Sequence, residues 1–148
     1  DEDALAGNVN PLIPGEEEKV ISELKYLLGM EIPVIASCNR VPEKDGHFVT
    51  CGVEVSRETT IEEVTSLMNI PTLDLPSSPE KVNNIIDSSP TRNEHLWIGN
   101  GMSTTVGNIR VNGNIIRFDA LSHNTVRGAA GGVILLAEFA VQESYITK

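Results

Sequence analysis

The sequence has few positive charges for its size. Its 148 residues include 11 Lys and Arg against 21 Asp and Glu, which gives a formal net charge of −10 at neutral pH. Proteins that bind a phosphate backbone usually present a basic stripe that displaces counterions, and this sequence has none. The acidic balance also disfavours binding to an anionic membrane surface. We therefore expect neither a nucleic-acid partner nor a membrane partner.

Long apolar runs and a secretory leader are also missing. The longest apolar stretches, "GGVILLAEFAV" and "IPVIA", are too short to span a bilayer. The opening residues "DEDALAGNVN" lack the positive and apolar regions of a signal peptide. Two cysteines, Cys38 and Cys51, are too few for a disulfide framework, although they could oppose each other across a hairpin. This pattern fits a reducing cytoplasm and predicts a cytoplasmic location.

Three segments carry the periodicity or composition of helices. The first is predicted from Glu16 to Leu28, with acids in its first turn and Gly29 as its stop. The second lies in "SRETTIEEVTSLMN", where Thr60 and Glu63 form a capping box. The third starts in "NTVRGAAGG" and continues through "VILLAEFAV". Small residues at its start indicate either tight packing or a ligand lying against the backbone.

The remaining segments predict strands and loops. "IPVIASC" has the pattern of a buried strand, and "HFVTCGVEV" that of a strand with one solvent-facing side. A Pro- and Ser-rich loop leads to a short strand near Val82 to Ile86. A strong type I′ hairpin signal, Asn112-Gly113, separates two further strands. The element order predicts one α+β domain over residues 1–148, a mixed, largely antiparallel sheet with helices packed on one face.

The turn "SCNRVPEKDGH" carries a candidate site between two predicted strands. Arg40 ends one strand and His47 begins the next. A guanidinium presents a planar fork of donors that matches a carboxylate, and an imidazole ordinarily titrates near neutral pH and can transfer protons. Spacing alone leaves open an exposed strand-end arginine and a structural histidine.

Four further pieces accompany that turn: "GEEEK", "GNGM", "VGNIR" and "SHNTVRGAAGGVILLAE". With these pieces the sequence resembles the C-terminal half of aspartate-semialdehyde dehydrogenases, above all their archaeal and fungal branch. The resemblance runs from about Pro11 to Phe139, and the stretch from Asn69 to Trp97 departs from the family pattern. It implies the catalytic and dimerisation domain of a two-domain subunit, similar in fold to the C-terminal domain of glyceraldehyde-3-phosphate dehydrogenase.

The resemblance also implies an activity. The family reduces L-aspartyl 4-phosphate to aspartate semialdehyde with NADP, in lysine, threonine and methionine biosynthesis. The Rossmann half that binds NADP and carries the nucleophilic cysteine is absent: no strand leads into G-x-G-x-x-G, and neither Cys38 nor Cys51 lies in the nucleophile motif. We therefore expect a fragment that is inactive alone, takes a small-molecule substrate, and forms a homodimer or tetramer through its sheet face.

The same resemblance implies roles for five residues. His47 would be the acid/base partner of the missing thiol, and Arg40 would clamp the substrate carboxylate. Glu16 would bind the α-ammonium group, Lys19 the phosphate, while Asn124 would lie near the nicotinamide carboxamide. From the residues alone, Glu16 and Lys19 equally fit a solvated helix start, and Asn124 an N-cap. No metal site is expected.

Two alternatives remain open. One is a thioester reductase of the same superfamily, acting on malonyl-CoA or succinyl-CoA, in which Glu16 would lose its ammonium-binding purpose. The other is a non-catalytic dimerisation module. A nucleotide-binding half preceding Asp1 would favour the enzyme.

Overall fold

The computed structural model describes residues 9–10 and 13–146. The chain divides into two compact units, Asp1–Lys44 and Asp45–Lys148. The first unit contains helix α1 (Glu16–Leu28). The second contains β1 (His47–Glu54), α2 (Ile61–Met68), β2 (Asn83–Ile85), α3 (Arg92–His95), β3 (Thr104–Asn112), β4 (Ile115–Ser122) and α4 (Gly131–Gln142). None of the helices in the described ranges is long and apolar enough to cross a membrane.

Helix α1 has the bounds that the sequence predicts. Gly15 and Gly29 flank it with left-handed φ angles of 82° and 63°, which glycine adopts without steric cost. No residue of α1 is buried, so its apolar stripe is only partly covered within this chain. The Glu17 carboxylate accepts a hydrogen bond of 3.0 Å from the backbone N–H of Cys38. This bond joins the first turn of α1 to the segment that leads to Arg40.

The prediction of a buried strand in "IPVIASC" is wrong. Residues 32–38 form no strand and alternate between half-buried and exposed, and Ile35 is 99% exposed. The β-bridge found in the described part of this unit is an isolated one between Asn10 and Arg40, which follows the segment. Pro33 lacks a backbone donor, which weakens strand pairing in the middle of the run. An apolar run indicates burial but does not supply the neighbouring strand that a sheet requires.

The second unit is built on a four-stranded sheet in the order β1-β4-β3-β2. The β1/β4 and β3/β4 pairs are antiparallel, and the β2/β3 pair is parallel. A bulge interrupts the β3/β4 register between Gly107 and Arg110, where Asn108 has a φ of 52°. The mixed, largely antiparallel sheet confirms the predicted α+β class.

One face of this sheet is covered by residues 86–96 and is called the covered face here. Its side chains include Thr105, Asp119 and Leu121, all of them buried. The other face, called the open face, carries apolar side chains that remain at least partly exposed: Val49, Val53, Ile116 and Phe118. The expectation that β1 has a single solvent-facing side is therefore wrong, because this edge strand is exposed on both sides except at Cys51.

Helix α2 starts as predicted, although only half of the capping box forms. The Thr60 side chain accepts a hydrogen bond of 3.2 Å from the backbone N–H of Glu63. The Glu63 carboxylate binds Arg57 and the Thr59 hydroxyl instead of the Thr60 backbone. Hydrogen bonds from Arg57 and Thr59 lower the pKa of Glu63 to about 2. Val64 is the buried residue of α2.

The β3–β4 hairpin turns one residue later than predicted. Asn112 pairs with Ile115, so the two-residue loop is Gly113-Asn114. Gly113 has a φ of 61°, whereas Asn114 is not among the residues with positive φ. A type I′ turn needs positive φ at both positions, so the type I′ prediction is wrong and the φ pattern is that of type II′. The Asn114 amide also binds Glu54 and the carbonyl of Val55 at 3.2 and 3.1 Å, which ties the loop to the end of β1.

A single helix beginning in "NTVRGAAGG" is not observed. A π-helical turn spans Val126–Ala130, and Ala129 lies at φ −140° and ψ −105°, so α4 begins only at Gly131. A Cβ atom added to Gly131 would lie 2.4 Å from Met102 Sδ, and one added to Gly132 would lie 2.5 Å from the carbonyl oxygen of Arg127. These distances explain two of the small residues by close packing within the chain.

Candidate active site

The predicted site residues divide between the two units. Glu16, Lys19 and Arg40 lie in the first unit, and His47 and Asn124 lie in the second. All except the half-buried Asn124 are exposed.

In the first unit, the candidate substrate-binding residues lie on two segments that contact each other. Glu16 and Lys19 lie in the first turn of α1, and Glu17 between them binds the Cys38 backbone two residues before Arg40. The Arg40 N–H and C=O pair with the C=O and N–H of Asn10, both at 2.9 Å. The backbone of Arg40 is thus held while its side chain is exposed. Sequence reasoning missed Glu17, because nothing in "EEEK" marks which acid faces the chain.

In the second unit, His47 is the first residue of β1 and faces Ser122, the last residue of β4. The turn before it is held from two sides. The Gly46 N–H donates to Asn124 Oδ1 at 2.7 Å, and Arg92 Nε donates to the carbonyl oxygen of Asp45 at 2.8 Å. Arg92 lies in "SPTRNEHLW", where the sequence departs from the family pattern, so the resemblance offered no signal for it.

Gly46 has a conformation that other residues rarely adopt. Its φ is 109°, and an added Cβ would lie 3.2 Å from Leu96 Cδ1. Both observations explain why a glycine precedes His47. The peptide that carries the histidine is therefore fixed by its backbone conformation as well as by its hydrogen bonds.

Asn124 does not cap a helix. The π-helical turn follows Thr125 without a side-chain cap, and α4 starts at Gly131. The Asn124 amide contacts Gly46 instead, and only its oxygen can accept from an N–H group. This contact fixes the amide orientation and directs Nδ2 away from Gly46. The N-cap interpretation is wrong because the chain passes from β4 into a π-helical turn rather than directly into an α-helix.

His123 anchors the segment that contains Asn124. It is 1% exposed, and its ring meets Trp97 edge-on, with centroids 4.4 Å apart and planes at 70°. Its Nδ1 lies 3.2 Å from the Thr125 hydroxyl. Edge-on aromatic contacts of this geometry are favourable, so His123 helps to hold residues 122–125.

A second polar cluster lies on the covered face, around Asp119. This carboxylate is 3% exposed and accepts hydrogen bonds from Thr50, Ser89 and Asn108 at 2.7, 2.5 and 2.7 Å. Burial alone would raise the pKa of Asp119, but these three hydrogen bonds and the charge of Arg117 lower it below its usual range. The cluster joins β1, the covering segment and the bulge of β3, which indicates a structural role.

Cys51 does not have the properties of an activated nucleophile. Cys38 and Cys51 are both free thiols, so the disulfide that the sequence left open is not formed. Burial, followed by the negative charge of Asp119, raises the pKa of the Cys51 thiol. A raised pKa reduces the thiolate fraction at neutral pH. Among residues 9–10 and 13–146, no group of three or more His, Cys, Asp or Glu side chains could hold a metal ion.

Comparison with known families agrees with the resemblance found in the sequence. Residues 2–127 match the family model described as semialdehyde dehydrogenase, dimerisation domain. The chain belongs to this family.

Curated relatives and solved structures extend the comparison. The chain is 45% identical over 157 residues to an aspartate-semialdehyde dehydrogenase of Archaeoglobus fulgidus, which covers 97% of this chain and 46% of the relative. It is 34% identical over 165 residues to a malonyl CoA reductase (NADP) of Metallosphaera sedula, and the match covers 97% of this chain and 46% of that relative. A probable aspartate-semialdehyde dehydrogenase from Pseudomonas aeruginosa has the same fold, with a TM-score of 0.78 at 20% identity over 96% of this chain and 43% of that one. The chain thus spans about half the length of these proteins.

Proposed function

We propose that the chain is the catalytic and dimerisation domain, one domain over residues 1–148, of a two-domain NADP-dependent aspartate-semialdehyde dehydrogenase. The complete enzyme would reduce L-aspartyl 4-phosphate to aspartate semialdehyde for lysine, threonine and methionine biosynthesis. The observation that carries this proposal is the position of His47. Its exposed imidazole follows a turn that Asn124 and Arg92 hold by hydrogen bonds of 2.7 and 2.8 Å. The 45% identity to the Archaeoglobus fulgidus relative supports it.

In the proposed reaction His47 transfers protons. It takes a proton from the nucleophilic thiol of the nucleotide-binding half and returns one to the substrate oxygen during turnover. Its exposed position at the start of β1 supports this role, since the thiol belongs to a part of the enzyme outside this chain. The raised pKa of Cys51 supports the same assignment of the nucleophile to the other half, because a thiol with a raised pKa is poorly suited to attack.

The first unit supplies the substrate-binding groups of the proposal. The guanidinium of Arg40 binds the substrate carboxylate in a planar, two-pronged contact. Glu16 binds the α-ammonium group, and Lys19 binds the phosphate. Support comes from the Glu17–Cys38 hydrogen bond, which joins the helix turn carrying Glu16 and Lys19 to the segment ending at Arg40.

NADP supplies the hydride when it is bound, held mainly by the other half of the enzyme. Two features of this chain fit a contact with its nicotinamide end. The Asn124 Nδ2 makes no hydrogen bond to the described residues, and as a donor it suits the carboxamide oxygen. There is free space at the Cα of Gly128, since an added Cβ would lie 4.0 Å from its nearest neighbour, the carbonyl oxygen of His123.

The open face supports self-association. Val49 and Val53 are exposed on β1, beside the half-buried Ile116 and Phe118 on β4. Apolar faces of this kind favour isologous contacts between copies of a chain. We propose a homodimer or tetramer formed through this face. The free thiols of Cys38 and Cys51 support a reducing, cytoplasmic location.

A thioester reductase is the second candidate. The malonyl CoA reductase of Metallosphaera sedula is 34% identical over 97% of this chain, so the domain itself is compatible with both substrates. Glu16 favours the amino-acid substrate, because an acyl-CoA chain presents no ammonium group for it. A dimerisation module without catalysis would not account for the hydrogen bonds that fix the turn before His47.

Substitutions at Arg40 test the proposed clamp in the enzyme that contains its nucleotide-binding half. Arg40→Lys keeps the charge and loses the two-pronged geometry, including one or two charge-assisted hydrogen bonds worth roughly 1.5–3 kcal/mol each. We expect kcat/KM for aspartate semialdehyde to fall about ten- to a hundredfold, and further in Arg40→Leu. The Michaelis constant for NADP should not change.

Arg110→Leu is the matched control, since Arg110 is an exposed arginine on β3 in the other unit. It should leave kcat/KM unchanged. Circular dichroism confirms that each variant is folded. A folded Arg40→Leu enzyme with wild-type kcat/KM would show that Arg40 does not bind the substrate.

A further inference from the structure

We infer that Asn124 is a positioning residue for His47 and acts through the peptide of Gly46. The inference rests on the proposed function, in which His47 transfers a proton. It gives the "SHNT" segment, residues 122–125, a role beyond a contact with the cofactor. That role is to hold the turn from which the imidazole projects.

The hydrogen bond to Gly46 is short and lies next to the histidine. The Gly46 N–H donates to Asn124 Oδ1 at 2.7 Å, and Gly46 is the residue immediately before His47. A rotation of this peptide would redirect the Cα–Cβ bond of His47 and displace the imidazole. Because Gly46 has a φ of 109° and little space at its Cα, the turn has few alternative conformations that keep this bond.

Asn124 itself lies between anchored neighbours. Ser122 faces His47 in the β1/β4 pair, and His123 is buried against Trp97. Thr125 places its hydroxyl 3.5 Å from an Asp45 carboxylate oxygen. Three residues of one segment, Ser122, Asn124 and Thr125, therefore reach the three consecutive residues 45–47. A side chain held in this way can fix the position of another group.

Arg92 holds the same turn from the covering segment. Its Nε donates to the carbonyl oxygen of Asp45 at 2.8 Å. The Asp45–Gly46 peptide is thus bound at its oxygen by Arg92 and at its nitrogen by Asn124. Both sides of one peptide group are satisfied by side chains from distant parts of the sequence, and this peptide leads directly into His47.

The two ends of the Asn124 amide have separable roles. Oδ1 holds Gly46, whereas Nδ2 is the group available to a cofactor. Asn124→Asp keeps an acceptor for the Gly46 N–H and removes the Nδ2 donor. Asn124→Ala removes both, and Asn124→Ser keeps a polar side chain that is too short to reach Gly46. Asn93→Ala, an exposed asparagine of α3, is the matched control.

The first readout is steady-state kinetics in the enzyme with its nucleotide-binding half. A displaced catalytic group can lower a rate by up to about a hundredfold, so we expect kcat to fall roughly ten- to a hundredfold in Asn124→Ala and Asn124→Ser. Asn124→Asp should recover most of that loss. In a His47→Asn background, Asn124→Ala should lower kcat no further, because a positioning residue acts only through the group it positions.

The second readout uses this chain alone and needs no activity. Amide hydrogen exchange at Gly46, followed by NMR, should accelerate in Asn124→Ala and remain slow in Asn124→Asp and Asn93→Ala. Thermal unfolding shows whether each variant is folded. If Asn124→Ala does not fold, Asn124→Ser supplies the same comparison.

The outcomes separate this inference from the proposed function. Wild-type kcat in His47→Asn would contradict the proposed function. An impaired His47→Asn enzyme in which Asn124→Ala costs the same factor in both backgrounds would overturn the positioning role. A raised Michaelis constant for NADP with unchanged kcat, in both Asn124→Asp and Asn124→Ala, would make Asn124 a cofactor contact only and would also overturn it.

Discussion

Removal of the Asp119 carboxylate is expected to destabilise the second unit strongly, because three side chains donate hydrogen bonds to it. The carboxylate accepts hydrogen bonds from Thr50 of β1, Ser89 of the covering segment and Asn108 of the β3 bulge. In Asp119→Ala all three donors lose their acceptor. Ser89 and Thr50 are exposed residues, so water can replace part of the hydrogen bonding that their hydroxyls lose.

The magnitude follows from how each donor can recover. A buried donor left without a partner costs about 1–3 kcal/mol, and two of the three donors here fall at the low end of that range. We therefore expect Asp119→Ala to lower the free energy of unfolding by about 3–5 kcal/mol. Asp119→Asn should cost less, about 1–2 kcal/mol, because a neutral amide oxygen can still accept from Ser89 and Asn108 while the Thr50 hydroxyl turns to accept from the new NH₂ group.

Urea unfolding followed by circular dichroism measures both variants, with Asp87→Asn as the control. Asp87 is an exposed aspartate two residues before Ser89, and the stability of Asp87→Asn should stay within about 0.5 kcal/mol of the wild type.

The pH dependence of stability gives a second check. Because the folded-state pKa of Asp119 is lowered, its stabilisation is present above the unfolded-state pKa of about 3.9 and is lost as the pH falls below that value. Asp119→Asn should flatten this decline. An Asp119→Ala variant as stable as Asp87→Asn would refute the structural role of the cluster.

Three further changes have definite expected outcomes. Alkylation of Cys51 at pH 8 should be slower in the folded chain than in denaturant, because its pKa is raised and its side chain is half-buried; equal rates would contradict this. Gly131→Ala should lower stability by about 1–3 kcal/mol, because the added carbon would lie 2.4 Å from Met102 Sδ. Gly128→Ala, with its nearest contact at 4.0 Å, is the control and should change stability little. Val49→Asp on the open face should shift sedimentation towards the monomer, and an unchanged oligomer would place the interface elsewhere.

Local patterns predicted the local structure well. The bounds of α1 and the start of α2 follow from capping residues and helical spacing, which act within a few residues. The hairpin was predicted one residue too early and with the wrong turn type, because the glycine fits either position of a two-residue loop. The apolar run around Ile35 was predicted as a buried strand, but burial depends on a partner that the run itself does not specify.

The surroundings of the candidate site residues were predictable only in part for the same reason. Arg40 and His47 came from a family pattern around one turn, whereas the groups that hold this turn come from distant segments. Arg92 and Asn124 reach the turn across 47 and 78 residues of sequence. No periodicity or motif spacing in a single sequence encodes such contacts, and the Asp119 cluster, assembled from four separate segments, was missed for the same reason.

Reconstitution with a nucleotide-binding half tests the proposed function most directly. The chain is assayed alone and joined to a nucleotide-binding half, by following phosphate-dependent reduction of NADP with aspartate semialdehyde. We predict no turnover by the chain alone, turnover by the joined enzyme, and loss of that turnover in His47→Asn. A joined enzyme that binds NADP but turns over malonyl-CoA and not aspartate semialdehyde, or one whose activity survives His47→Asn, would contradict the proposal.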